Sequence, residues 1–83
     1  MKKEKVKEAV YVAISKGGGI PCRDLKDEMR LEDCSIIDSF DFAELAVMVE
    51  AKLERVGALD DGVLKKSKTV GELVDNICTA LHV

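Results

Sequence analysis

The sequence predicts an all-α fold: a small four-helix bundle with a long loop between helices 1 and 2 and a short third helix. Three observations carry the prediction. Apolar residues recur at helical spacing in three separate stretches. Aromatic residues are scarce and proline occurs once, at Pro21. No Asn-Gly or Asp-Gly pair joins alternating strands, since the flanks of Asp61-Gly62 do not alternate.

The first helix is predicted from Lys2 to about Lys16, where Val6, Val10, Ala13 and Ile14 share one face and Gly17-Gly18-Gly19 stops the run. Pro21 then turns the chain into a connection reaching about Asp38. Within it, Asp24 to Leu31 has the pattern of a short helical turn, with Leu25, Met29 and Leu31 covering the core.

The second helix has the clearest pattern. Phe42, Leu45, Ala46, Val49, Leu53 and Val56 form its apolar stripe, and Glu44, Glu50, Glu54 and Arg55 fall on the wetter side, with Gly57 as the stop. Leu59, Val63 and Leu64 can anchor a short third helix opening at Asp60 or Asp61. Thr69-Val70-Gly71-Glu72 is a Ser/Thr-x-x-Glu capping box. Val70, Leu73, Val74, Ile77 and Leu81 follow as the buried stripe of the last helix.

The 83 residues are enough for a single domain, 1–83, too small to enclose a deep active site. There is no internal repeat, low-complexity segment or linker. A formal net charge of −3 argues against nucleic acid, which demands a basic face. Lys2, Lys3, Lys5 and Lys7 crowd the amino terminus, a run read as a solvated helix face. No apolar run approaches the ~20 residues of a membrane span, so neither membrane insertion nor a signal segment is expected. Cys22, Cys34 and Cys78 lack CxxC spacing, which points to reduced thiols and a cytoplasmic location. Cys78 and His82 stand one helical turn apart, but the set has no recognised zinc spacing, and the cysteines read as small buried hydrophobes; no metal is expected.

The serine in Ile36-Ile37-Asp38-Ser39-Phe40-Asp41 is the residue that asks for a function. Asp38 suits the N-cap and Asp41 sits three residues on, so the chain should turn helical at Ser39, with both carboxylates near the positive end of the helix dipole. Ser39 would then point outward from the first turn. It is poorly equipped as a nucleophile: no Gly-x-Ser-x-Gly elbow surrounds it, and the one histidine, His82, lies near the other terminus. Taken alone, it would be a first-turn or capping serine, and no enzyme activity is expected.

The stretch DSFDFAELAVMVEAKLE nevertheless resembles the acyl carrier protein family, whose hallmark is Asp-Ser-Leu at the head of the second helix. Asp38-Ser39 matches the hallmark, Asp41, Glu44 and Leu45 match the positions after it, and Glu50 falls on a family acidic position. The long loop, the short third helix and the Thr69-Val70-Gly71 opening agree with the family layout, so the resemblance covers most of the chain.

The resemblance implies that Ser39 is an attachment point for 4′-phosphopantetheine, placed there by a phosphopantetheinyl transferase. The arm's thiol would carry an acyl group as a thioester between acyl-transferring, synthase or ligase enzymes of fatty-acid, lipid or polyketide-type biosynthesis. Asp38 would orient the attachment turn. Asp41, Glu44 and Glu50 would present charge to partners, Phe40 and Val47 would present apolar surface, and the chain would act as a monomer.

There are departures as well. Phe40 replaces the usual leucine, as in D-alanyl carrier proteins; Ala51 stands where a second glutamate is common; Lys52 and Arg55 follow it; and the segment from Glu54 to Lys68 is slightly long. These keep open an aminoacyl carrier loaded by an adenylating ligase, and a cofactor-free helical interaction module. Met48, within Leu45-Ala46-Val47-Met48-Val49, is read as core that in a carrier can also open to admit an acyl chain.

Overall fold

The computed structural model describes residues 2–83, without the side chains of Ser39 and Asp61. Four helices lie in the order α1 (Lys3–Gly18), α2 (Ser39–Leu53), α3 (Asp61–Lys65) and α4 (Val70–Ala80). Two 3₁₀ turns, Cys22–Asp24 and Leu31–Cys34, punctuate the long α1–α2 connection. α1 packs against α2 and α4, and α3 bridges α2 and α4. The radius of gyration is 11.0 Å, close to the ~12 Å of a compact chain this long.

The apolar stripes meet in one cluster. Val6, Val10 and Ile14 from α1, Val49 from α2, Leu64 from α3 and Leu73 and Ile77 from α4 are fully buried. Such interdigitation of short branched side chains is the main stabilising contribution in a domain with few aromatics.

Three boundaries differ from the sequence expectation. α1 runs through Gly17 and Gly18 and ends at Gly19, whose φ of 71° is the left-handed conformation glycine adopts without strain. Gly18 has a separate reason to be glycine: a β-carbon there would stand 2.6 Å from the Cys34 carbonyl oxygen, so the close approach of the second 3₁₀ turn to α1 depends on its absence. The expected turn over 24–31 is replaced by the two 3₁₀ turns on either side of that segment. Leu25 and Leu31 still reach the core, and Met29 packs at its edge.

α2 stops at Glu54, in the left-handed conformation at φ 57°, and not at Gly57. The Glu54 and Arg55 amides donate to the Glu50 carbonyl and close the helix end. Val56, which would have continued the stripe of a longer helix, is therefore 91% exposed.

The long connection is tied to the start of α4. Leu31 N donates to Lys68 O, Val70 N to Met29 O and Gly71 N to Asp27 O, at 2.8–2.9 Å. Thr69 caps α4 by accepting from Glu72 N, and the Glu72 carboxylate reaches back to Lys68 N, one residue earlier than a standard capping box. On the other side, Tyr11 Oη donates to Asp27 Oδ1 at 2.6 Å and Lys7 Nζ lies 3.2 Å from Asp27 Oδ2. Asp27 thus clamps the connection to α1, and the Tyr11 hydrogen bond, helped by Lys7, holds its carboxyl below the usual range.

Candidate functional site

The head of α2 is built by two carboxylates that each serve the backbone of the other. Asp38 Oδ1 accepts from Asp41 N at 3.0 Å, while Asp41 Oδ2 accepts from Asp38 N at 3.4 Å and from Ile37 N at 3.2 Å. This reciprocal box fixes the chain on both sides of position 39. Buried Ile36 and Phe42 pin the same segment to the core. α2 begins at Ser39, as expected, but the expectation that its hydroxyl points outward falls on a side chain outside the described residues.

Between those pins the surface is apolar. Ile37 is 71% exposed and Phe40 73%, and Val47, two turns further along, is 64% exposed. Ala43, Glu44 and Ala51 are exposed as well. On a 3.6-residue period, Phe40, Glu44, Val47 and Ala51 share the face opposite the buried stripe. Sequence reasoning named Phe40, Glu44 and Val47 but passed over Ile37. The signal was there: of two consecutive isoleucines entering a helix, only one can face the core.

Glu50 does not belong to this face, which corrects its assignment to charge presentation. It is 9% exposed, and its Oε2 accepts from Leu59 N at 2.7 Å in the α2–α3 loop. Glu50 follows Ala46 by four residues and precedes Leu53 by three, so it lies at the edge of the buried stripe. There a carboxylate is tolerated because a backbone donor meets it. Asp41 is partly spent too, since one of its oxygens is engaged in the cap.

Two spaces flank the head of α2. A groove of about 340 Å³ is lined by Leu31, Ile36, Ile37 and Phe42 with Arg30 and Lys68 among its polar walls. On the α1 side, Ala13, Ile14, Leu45 and Met48 line a cleft of only about 30 Å³, room for about one water. The core is therefore closed beside Met48. Burial pushes the Cys34 and Cys78 thiols above their ordinary range. Among the described residues no cluster of His, Cys, Asp or Glu is placed to hold a metal, and no helix is long and apolar enough to cross a membrane.

Four helices around one core, a long loop before the second and a doubly capped Asp-Ser at its head give the layout expected from the resemblance to acyl carrier proteins. Over 81 residues the chain is 32% identical to the acyl carrier protein of Acidothermus cellulolyticus, covering 96% of this chain and 93% of that relative. It belongs to the acyl carrier protein family. No protein-family model matches the chain, and no solved structure matches it.

Proposed function

We propose that residues 1–83 form one carrier domain in which Ser39 receives 4′-phosphopantetheine from a phosphopantetheinyl transferase and the arm's thiol carries acyl groups as thioesters. The observation that carries this reading is the reciprocal Asp38–Asp41 cap around position 39. A modified serine needs no base of its own but must stand on a turn that the transferase finds already formed. The head of a helix also suits the product, because a phosphodiester anion is favoured by unpaired N–H groups and the dipole. Bound there, the arm supplies the reactive thiol; the chain contributes position and recognition and no catalytic group.

Asp38 holds the attachment turn. Phe40, Val47 and Glu44 form the docking face, with Asp41 contributing its second oxygen, and partners are the acyl-transferring, synthase or ligase enzymes of fatty-acid, lipid or polyketide-type biosynthesis. The domain works as a cytoplasmic monomer. The groove beside Ile37 and Phe42 offers the arm an apolar wall, whereas the cleft at Met48 must widen before a chain could enter the core.

A second reading, an aminoacyl carrier loaded by an adenylating ligase, is favoured by Phe40 and by that closed core. Loading the arm with a medium-length acyl chain and, separately, with alanine separates the two. The acyl reading expects both to form hydroxylamine-labile thioesters and the medium-chain form alone to melt higher, since a chain that binds the native core stabilises it. Equal melting of the two forms would transfer the preference to the aminoacyl reading. Absence of any thioester on a modified chain would remove both.

A further inference from the structure

Within Ser39–Leu53 the carboxylates available to a partner are fewer than the sequence suggests and lie toward the first turns; Glu54 follows as the exposed C-cap, beside exposed Arg55. Glu50 is buried on Leu59 N and Asp41 is half engaged in the cap, which leaves Glu44 exposed in the first turns. The far end is different. Lys52 stands in the last turn of α2 and Lys16 in the last turn of α1. Both border one groove of about 340 Å³ between the two helices, lined also by Ala9, Val12, Ala13, Met48 and, at its outer edge, exposed Ala51.

A lysine near a helix carboxyl end is favourable in itself, because it meets the negative end of the dipole. That explains each charge on its own helix. It does not explain why two helices bring their cations to the rim of the same apolar groove. Three cations are spent on carboxylates of the chain itself: Lys3 pairs with Asp75, Lys7 with Asp27 and Arg30 with Glu32. Neither Lys16 nor Lys52 is paired with a carboxylate among the described residues. Ala51, which lines the groove, is four residues on from exposed Val47 on α2.

We propose that the α1–α2 groove is a docking surface for a partner protein that presents an acidic side chain beside an apolar one. The apolar group seats on Val12, Met48 and Ala51, and the acid lies between Lys16 and Lys52. This deepens the carrier reading, because the groove flanks the helix that begins at the serine. Thirteen residues separate Ser39 from Lys52, or about 20 Å along the helix axis. A partner that receives the arm at its active-site mouth would therefore carry a basic or neutral rim near that mouth, facing Glu44, and an acidic one about 20 Å away. Charge of opposite sign at the two ends fixes the docking direction and rejects partners with a uniformly basic patch.

The test titrates the isotope-labelled full chain with two amphipathic helical peptides of the same apolar face, one bearing glutamates and one bearing lysines, and follows its amide resonances. The glutamate peptide is expected to shift Val12, Lys16, Met48, Ala51 and Lys52, and to weaken about five-fold or more as salt rises from about 0.05 to 0.5 M. Lys16→Glu with Lys52→Glu should reverse the preference, and Lys16→Gln with Lys52→Gln serves if the reversed chain does not fold. The proposal is overturned if the lysine peptide binds the groove as well or better, if the glutamate peptide binds elsewhere or not at all, or if the same resonances move with chain concentration alone, which would make the groove a contact between copies. The mass added at Ser39 by a transferase is read separately on the same samples, so failure of the groove and failure of the carrier reading are distinguishable.

Discussion

The carboxylate of Glu50 accepts a hydrogen bond from the amide of Leu59 at 2.7 Å, joining the last turns of α2 to the approach of α3. Because Glu50 is buried, its removal strands that amide. Glu50→Ala is predicted to cost about 1–3 kcal/mol in urea unfolding, and Glu50→Gln, which keeps an acceptor, should cost less. Glu44→Ala, at an exposed position of the same helix, should stay within about 0.5 kcal/mol. Equal small effects for Glu44 and Glu50 would contradict this division of roles.

Val49 is fully buried in the same core cluster as Leu73 and Ile77. Val49→Ala should lower stability by on the order of 1–3 kcal/mol through lost contacts and a small cavity. The head of α2 is held by its own cap, so attachment at Ser39 should proceed on the folded fraction at the wild-type rate. A rate that falls further than the folded fraction would mean that core packing shapes the attachment turn.

Asp27 links stability to pH. Its folded-state carboxyl is held below the ordinary value by Tyr11 and Lys7, so its contribution is full above about pH 4. It is lost as pH falls through the depressed value. Between pH 6 and 3 the wild type should lose more stability than Asp27→Asn, with Tyr11→Phe in between. Parallel curves for all three would show that the clamp contributes nothing. The groups are largely exposed, so the difference should be small and shrink with salt.

Glu54 adopts the left-handed conformation without being glycine. Glu54→Gly should therefore stabilise the domain by roughly 0.5–1 kcal/mol, the relief of strain exceeding the entropy glycine adds to the unfolded chain. A thermal melt no higher than wild type would mean that the side chain offsets the strain.

What the sequence revealed and what it hid separate along the range of the interactions. The Asp38–Asp41 cap was legible because both partners lie within one turn. The α2 stripe from Phe42 to Leu53 was legible because burial repeats with the helix. The end of α2 was not: Gly57 looked like the stop, but the Glu50 carbonyl and carboxylate gather Glu54, Arg55 and Leu59 and end the helix earlier. The position of Glu50 between Ala46 and Leu53 carried that information, overshadowed by its charge. The Asp27 clamp and the Lys16–Lys52 groove join residues far apart in sequence, and no local pattern announces them.

The central claim is that Ser39 is the attachment point, and intact-mass measurement with fragment sequencing tests it most directly. Incubated with coenzyme A and broad-specificity phosphopantetheinyl transferases, the wild-type chain should gain the mass of one phosphopantetheine, localised to Ser39, and Ser39→Ala should gain none while melting like the wild type. An unmodified wild type with every transferase, or an arm found on another residue, would contradict the account.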